Sequence, residues 1–174
     1  MTAFAAPTSE KAVTEAVRAA NSQNTAVQII AGGTRGRIGR PRSEYECLDV
    51  SGVAGITRYE PGALTLEAKA GTPIAQIEAA LDAKNQMLAF EPMDHRALMG
   101  TQGTPTIGGV VACNVSGPRR FISGACRDFL LGVRFVDGQG RVIKNGGRVM
   151  KNVTGLDLTK LVCGSFGTLG VLTQ

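Results

Sequence analysis

Val27-Gln28-Ile29-Ile30-Ala31-Gly32-Gly33-Thr34-Arg35-Gly36 is the stretch on which the architecture turns. Four residues of strand character run straight into a glycine loop. A loop of that kind presents several backbone N–H groups to one side, a concavity suited to phosphate oxygens. The standard nucleotide motifs do not match it. A Rossmann fingerprint needs Gly-x-Gly-x-x-Gly opening a helix, whereas Gly33-x-x-Gly36-x-x-Gly39 leads into Arg40-Pro41-Arg42, which no helix begins cleanly. The Gly-Lys-Ser/Thr ending of a Walker A loop is absent from the whole chain. Taken alone, residues 32–39 read as a flexible strand-to-strand connection before they read as a phosphate loop.

A second loop changes that weighting. Thr106-Ile107-Gly108-Gly109, followed by Asn114 and Gly117, is again small and rich in donors, and it comes after an entire further helical segment. Two such loops, one before and one after the middle of the chain, suit one elongated diphosphate ligand gripped from opposite sides. The 23 glycines among 174 residues, nearly twice the roughly 7% of an average chain, belong where backbone takes positive φ or approaches something closely.

Around these loops the pattern predicts a helix over about 9–21, opened by Ser9 and Glu10, and strands at 27–30 and 47–50. A hairpin follows over 56–60 and 64–69 across Pro61-Gly62. Thr72 as a cap before Pro73 predicts a helix over 73–84. Residues 90–106 read as a long loop, and 106–118 as a helical turn or two between loops. A second hairpin over 130–136 and 141–144 turns at Asp137-Gly138-Gln139-Gly140. A short helix near 157–162 and a strand near 169–173 end the chain. Strands paired by short turns, with helices at irregular intervals, predict an α+β fold. The expected subdivision is a first subdomain over about 1–70 and a second over about 71–174, meeting at Gly71.

Composition narrows the function classes. Hydrophobic residues make up 43% and charged residues 19%, the balance of a folded globular chain. Every hydrophobic run is interrupted before the ~20 residues a transmembrane helix needs. The start lacks a basic segment followed by a long apolar one, so the cytoplasm is the expected compartment. Cys47, Cys113, Cys126 and Cys163 form no Cys-x-x-Cys pair and share the chain with one histidine, so no metal site is expected. A net charge of +5 without a basic block, and 5% aromatic residues with no Trp, suit an anionic ligand and argue against nucleic acid.

Six strings in order carry a resemblance: Gly32-Gly33-Thr34 with its later glycines; Ala70-Gly71-Thr72-Pro73; Thr106-Ile107-Gly108-Gly109 through Asn114 to Gly117-Pro118; Arg127-Asp128 through Gly132; Val149 through Gly155 to Leu158; and Gly164-Ser165-Phe166-Gly167 through Gly170-Val171. The order resembles the FAD-binding domain of the vanillyl-alcohol oxidase and p-cresol methylhydroxylase superfamily. Within it, Gln86-Met87-Leu88, Glu91-Pro92 and Ser116-Gly117-Pro118-Arg119-Arg120 are similar to the small FAD-binding subunits of bacterial glycolate oxidases.

The resemblance implies a two-subdomain fold, with a small mixed sheet, an antiparallel sheet and flanking helices, and without the substrate-side cap domain of those subunits. It implies FAD as cofactor. Gly32, Gly33, Thr34, Arg35, Gly36 and Gly39 would wrap its pyrophosphate, with Arg40 nearby. Thr106, Gly108 and Gly109 would approach from the other side, Asn114 and Gly117 would lie beside the isoalloxazine, and Gly170 and Val171 would meet the adenine. Arg35 is either a phosphate cation or a solvated loop charge. Covalently flavinylated relatives carry His after the first Gly-Gly pair or Cys ahead of the Thr-Ile-Gly segment. Thr34 and Thr104 stand in those places, so FAD is expected to be noncovalent.

The implied reaction is oxidation of a small 2-hydroxy acid to the 2-oxo acid, with a larger flavin subunit and an iron–sulfur subunit as partners, in the cytoplasm or held at the inner membrane through them. No catalytic residue is assigned. His95 reads as a loop or interface histidine ahead of a flavin-facing base, and Asp128 as a cap or ion-pair residue. Arg119 and Arg120 are either a solvated pair or a contact for an acidic partner. The competing reading is a noncatalytic nucleotide-binding or scaffold module.

Overall fold

Ser9 takes extended backbone and its hydroxyl accepts the Ala12 N–H (3.2 Å), which opens helix α1 (Glu10–Ser22) directly after strand β1 (Ala3–Ala5). The computed structural model describes residues 3–36, 38–39, 44–148 and 155–174. Val13 and Ala20 turn inward from α1 and are buried. Strands β2 (Val27–Ile30) and β3 (Glu46–Asp49) then join β1 in a parallel sheet of order β1-β3-β2, with Gln28 opposite Cys47 and Ile29 opposite Leu48. Parallel strands require crossovers, and α1 makes the one between β1 and β2, the two strands that flank β3.

Strands β4 (Ile56–Glu60) and β5 (Thr65–Ala68) pair antiparallel through a single 3₁₀ turn at Pro61–Ala63. Helix α2 (Ile74–Asp82) buries Ile74, Ile77 and Leu81 at helical spacing. The expectation that Thr72 caps α2 is corrected, because Pro73 holds that position without a side-chain cap. Thr72 is fully buried and its hydroxyl has other obligations, accepting the Gly55 N–H (2.9 Å) and donating to the Lys69 carbonyl (2.6 Å).

The expected long loop over 90–106 contains a helix, α3 (Arg96–Met99). Thr106 caps α4 (Ile107–Ala112), and two more four-residue helices follow, α5 (Arg120–Ser123) and α6 (Cys126–Phe129). Asp128 belongs to the cap of α6, its Oδ2 accepting the Ala125 N–H (2.8 Å). Strands β6 (Gly132–Val136) and β7 (Val142–Gly146) turn around Asp137, whose Oδ1 accepts the N–H groups of Gln139 and Arg141 at 2.9 Å each. After α7 (Leu158–Val162), β8 (Val171–Leu172) adds to the other edge of β6, giving the antiparallel order β7-β6-β8.

The architecture is α+β, with the small sheet parallel throughout its described strands. One core cluster joins Val13 of α1, Leu48, Val50 and Val53 to Val136 and Val171 from the far end of the chain. A second surrounds α4 with Ile74, Phe90, Val110, Val111, Cys126 and Cys163. At the expected subdomain boundary, Gly71 N–H donates to Val53 O (2.8 Å) and Ala70 N–H to Thr173 O (3.0 Å). Arg40 and most of the string from Val149 to Gly155 lie outside the described residues.

Candidate functional site

Strand β2 delivers residues 31–36 to a cleft of about 620 Å³, within the range of small-molecule and cofactor sites. Gly32, Gly33, Thr34, Arg35, Gly36 and Gly39 line it from the first loop, Thr106, Gly108 and Gly109 from the cap and first turn of α4, and Gly170 from the approach to β8. The two loop regions touch. A Cβ on Gly32 would stand 1.4 Å from the Thr104 carbonyl oxygen, and one on Gly103 would stand 1.6 Å from the Gly32 oxygen. Only glycine permits that backbone-to-backbone approach.

The two loops differ in what they offer a ligand. Among the described residues, the N–H groups of Gly32, Gly33, Thr34, Arg35 and Gly36 have no hydrogen-bond acceptor. The first turn of α4 is already satisfied: Ile107 N–H donates to Thr72 O (3.0 Å), Gly108 N–H to Ala70 O (2.7 Å) and Gly109 N–H to Thr106 Oγ1 (3.3 Å). Of the two loops, therefore, the first holds the continuous run of free amides among the described residues, and the second supplies a wall of small residues. Gly108 serves close packing, since a Cβ there would lie 2.8 Å from the Ala70 side chain.

Arg35 is the one formally charged residue in the described lining, which contains no carboxylate. Its guanidinium is fixed on three sides: Nε donates to His95 Nδ1 (3.1 Å), Nη2 to the Met93 carbonyl (3.2 Å) and Nη1 to Thr34 Oγ1 (3.3 Å). Gly109 lies alongside it, as a Cβ there would be in van der Waals contact with Nη1 at 3.4 Å. Burial pulls the Arg35 pKa below its ordinary value, with the neighbouring Cys113 and Asp94 opposing. Burial and the Arg35 charge both lower the His95 pKa against Asp94, and burial raises that of Cys113. His95 thus stands beside the first glycine loop, acting as an acceptor to its cation.

Asn114, Gly117 and Val171 do not line the cleft. Asn114 adopts φ +49° and its Oδ1 accepts the Arg127 N–H (3.0 Å) and the Cys163 thiol (3.6 Å). Gly117 packs against Glu91 and donates its N–H to Phe90 O (2.9 Å). Val171 is buried in the first core cluster. Further lining comes from Tyr45, Cys113 and the Phe166-Gly167-Thr168 turn. Cys113 follows Gly109 by four residues, hence on the same helical face, and Phe166-Gly167 sits inside one of the quoted strings. Both were available as signals. Among the described residues no three His, Cys, Asp or Glu side chains group in a way that holds a metal ion, and no helix is long and apolar enough to cross a membrane.

The FAD binding domain family matches residues 1–146. The chain belongs to this family. As an FAD binding domain it is 44% identical over 164 residues to glycolate oxidase subunit GlcE of Escherichia coli, covering 94% of this chain and 45% of that protein. It is 31% identical over 173 residues to a D-2-hydroxyglutarate dehydrogenase of Xanthomonas citri, covering 99% and 35% respectively. Alkyldihydroxyacetonephosphate synthase shares the fold, with a TM-score of 0.75 at 21% identity over 96% of this chain and 29% of that one. The domain spans less than half the length of each of these proteins.

Proposed function

We propose that the cleft holds FAD noncovalently, with its diphosphate on the unpaired amides of residues 32–36 and on Arg35, and that the protein serves an oxidoreductase acting on small 2-hydroxy acids. The observation that carries this reading is the row of five amides that have no acceptor among the described residues, beside the one cation of the described lining. Such a row suits an anionic oxygen cluster. Gly33 and Gly36 keep the approach open, since a Cβ at either would meet nothing within 4 Å. Bound FAD supplies a two-electron hydride acceptor. The chain's own part is to bind and orient: amides and Arg35 at the diphosphate, and the small-residue wall of α4 and the 166–168 turn along the rest of the molecule.

The identity to a glycolate oxidase subunit over 94% of the chain supports the substrate class and work within a complex. A larger flavin subunit and an iron–sulfur subunit are the partners we assign, with the complex in the cytoplasm or held at the inner membrane by those partners. Thr34 and Thr104 support noncovalent attachment, because neither offers the imidazole or thiol through which covalently flavinylated relatives bond the cofactor.

The test is a titration with FAD followed by flavin fluorescence and absorbance. Saturable one-to-one uptake, with all flavin released on acid precipitation, is the expected outcome. A protein that stays colourless in excess FAD overturns the reading. Dye reduction by 2-hydroxy acids in the assembled complex then separates a redox subunit from a noncatalytic nucleotide-binding module.

A further inference from the structure

We propose that His95 is the positioning residue for the cation of the FAD site, holding the Arg35 guanidinium against the cleft so that its remaining donors face the diphosphate. The proposal rests on the FAD reading of the cleft and goes beyond it by assigning a role to the chain's one histidine.

A guanidinium has five N–H donors. Three of those on Arg35 are taken by His95 Nδ1, the Met93 carbonyl and Thr34 Oγ1. Among the described residues each nitrogen is used once, so the plane is fixed and one N–H on each terminal nitrogen has no partner there. The Nη1 end lies at the cleft, because Arg35 lines it and a Cβ on Gly109 would stand 3.4 Å from Nη1. A forked pair of this kind matches two phosphate oxygens. Thr34 is the neighbouring residue and turns with the loop. The restraints from elsewhere in the fold are His95 and Met93, both in the segment before α3.

His95 is suited to the role in its neutral form. With Nδ1 accepting, the ring proton sits on Nε2. The charged groups facing the ring are Arg35 and Asp94, and Asp94 is itself held by Arg96 (2.7 Å). Its carboxylate is therefore engaged elsewhere, and the ring's acceptor is left to Arg35. Without it, the half-buried Nε–H has no partner and the long side chain regains its rotamers, so the fork is no longer held ready.

The experiment is a double-mutant cycle read as FAD affinity by flavin fluorescence, using the full chain with His95→Leu, His95→Asn, Arg35→Met and the Leu/Met double variant. His95→Leu should weaken FAD binding about tenfold, as for loss of one charge-assisted contact, with the apo unfolding midpoint unchanged. His95→Asn, whose Oδ1 accepts in place of Nδ1, should restore most of that loss. In the Arg35→Met background the leucine should cost nothing further. Equal losses in both backgrounds, no loss at all, or no rescue by asparagine overturns the proposal. If His95→Leu fails to fold, the asparagine variant and Arg35→Met still decide, because tight FAD binding without the arginine also overturns it. A parent chain that takes up no FAD is a separate result, which removes the reading of the cleft itself.

Discussion

Gly32 and Gly36 stand in one loop and tolerate a side chain very differently. A Cβ on Gly32 would overlap the Thr104 carbonyl oxygen at 1.4 Å, backbone against backbone, whereas one on Gly36 meets nothing within 4 Å. Gly32→Ala should therefore separate the two loops and destabilise the chain by about 3 kcal/mol, the upper end of overpacking costs. Gly36→Ala should stay within about 0.5 kcal/mol. Urea unfolding of the pair measures the contrast, and a Gly32→Ala protein as stable as its parent would show that the loops do not touch as described. The glycines themselves were legible in the sequence, because each opens a short, recognisable string. Their separate reasons were not. The partner of Gly32 is Thr104 and the partner of Arg35 is His95, and no local pattern connects residues that distant. The same limit explains Gly108 and Gly109, which read as donors in the sequence and whose N–H groups are engaged within the fold, Gly108 also packing closely on Ala70.

Elements with several residues of pattern were read within a residue or two: α1, β2, the two hairpins, α2 and α7 all lie where periodicity and turn residues put them. β1, α3, α5 and α6 have three or four residues each, too few to repeat a hydrophobic period, so no local pattern announces them. Parallel pairing of β1 with β3 is equally invisible locally, since no turn joins the strands. What ties these pieces is side-chain chemistry at element ends, and Glu10 is the clearest case. From the first turn of α1 its carboxylate accepts from Arg134 of β6 (3.0 Å) and from the Thr173 hydroxyl (2.7 Å). The Arg134 bond holds the Glu10 pKa below its ordinary 4.5, against the opposing effect of burial. A carboxyl with a depressed folded-state pKa contributes stability above its unfolded value and loses it as pH falls through the folded one. Glu10→Gln should therefore cost about 1–2 kcal/mol near neutrality, discounted for the partial exposure of the pair. The difference between parent and variant should shrink as pH drops below about 4.5. Thermal unfolding of both proteins across pH 3–7 reads this directly, and a gap independent of pH would assign the loss to packing instead.

At the scale of the molecule, segments far apart in sequence meet in one core and one cleft. Val13 and Leu48 pack with Val136 and Val171, and the described lining of the cleft comes mainly from residues 26–36, 38 and 39, from Thr106, Gly108, Gly109 and Ala112 at α4, and from residues 166–168, 170 and 172. Away from it, Phe121 and Ile122 of α5 are 95% and 90% exposed. They bury nothing on folding, so replacing both with serine should leave the unfolding midpoint unchanged while reducing concentration-dependent association in sedimentation experiments. Loss of midpoint in that variant would mean the pair packs in solution. The cleft makes the opposite case, because a ligand bridging loops far apart in sequence stabilises the whole unit and not a part of it. Linkage adds about 2.7 kcal/mol when free FAD is 100-fold above its dissociation constant. For a chain of this size that corresponds to a rise of roughly 5–10 °C in the midpoint. The rise should appear in one cooperative transition, since the β6 and β8 side chains that complete the first core cluster lie beside the turn that lines the cleft. A scan in which FAD shifts only part of the unfolding signal would mean that the first loop binds without the C-terminal segment, and the common cleft would then have to be abandoned.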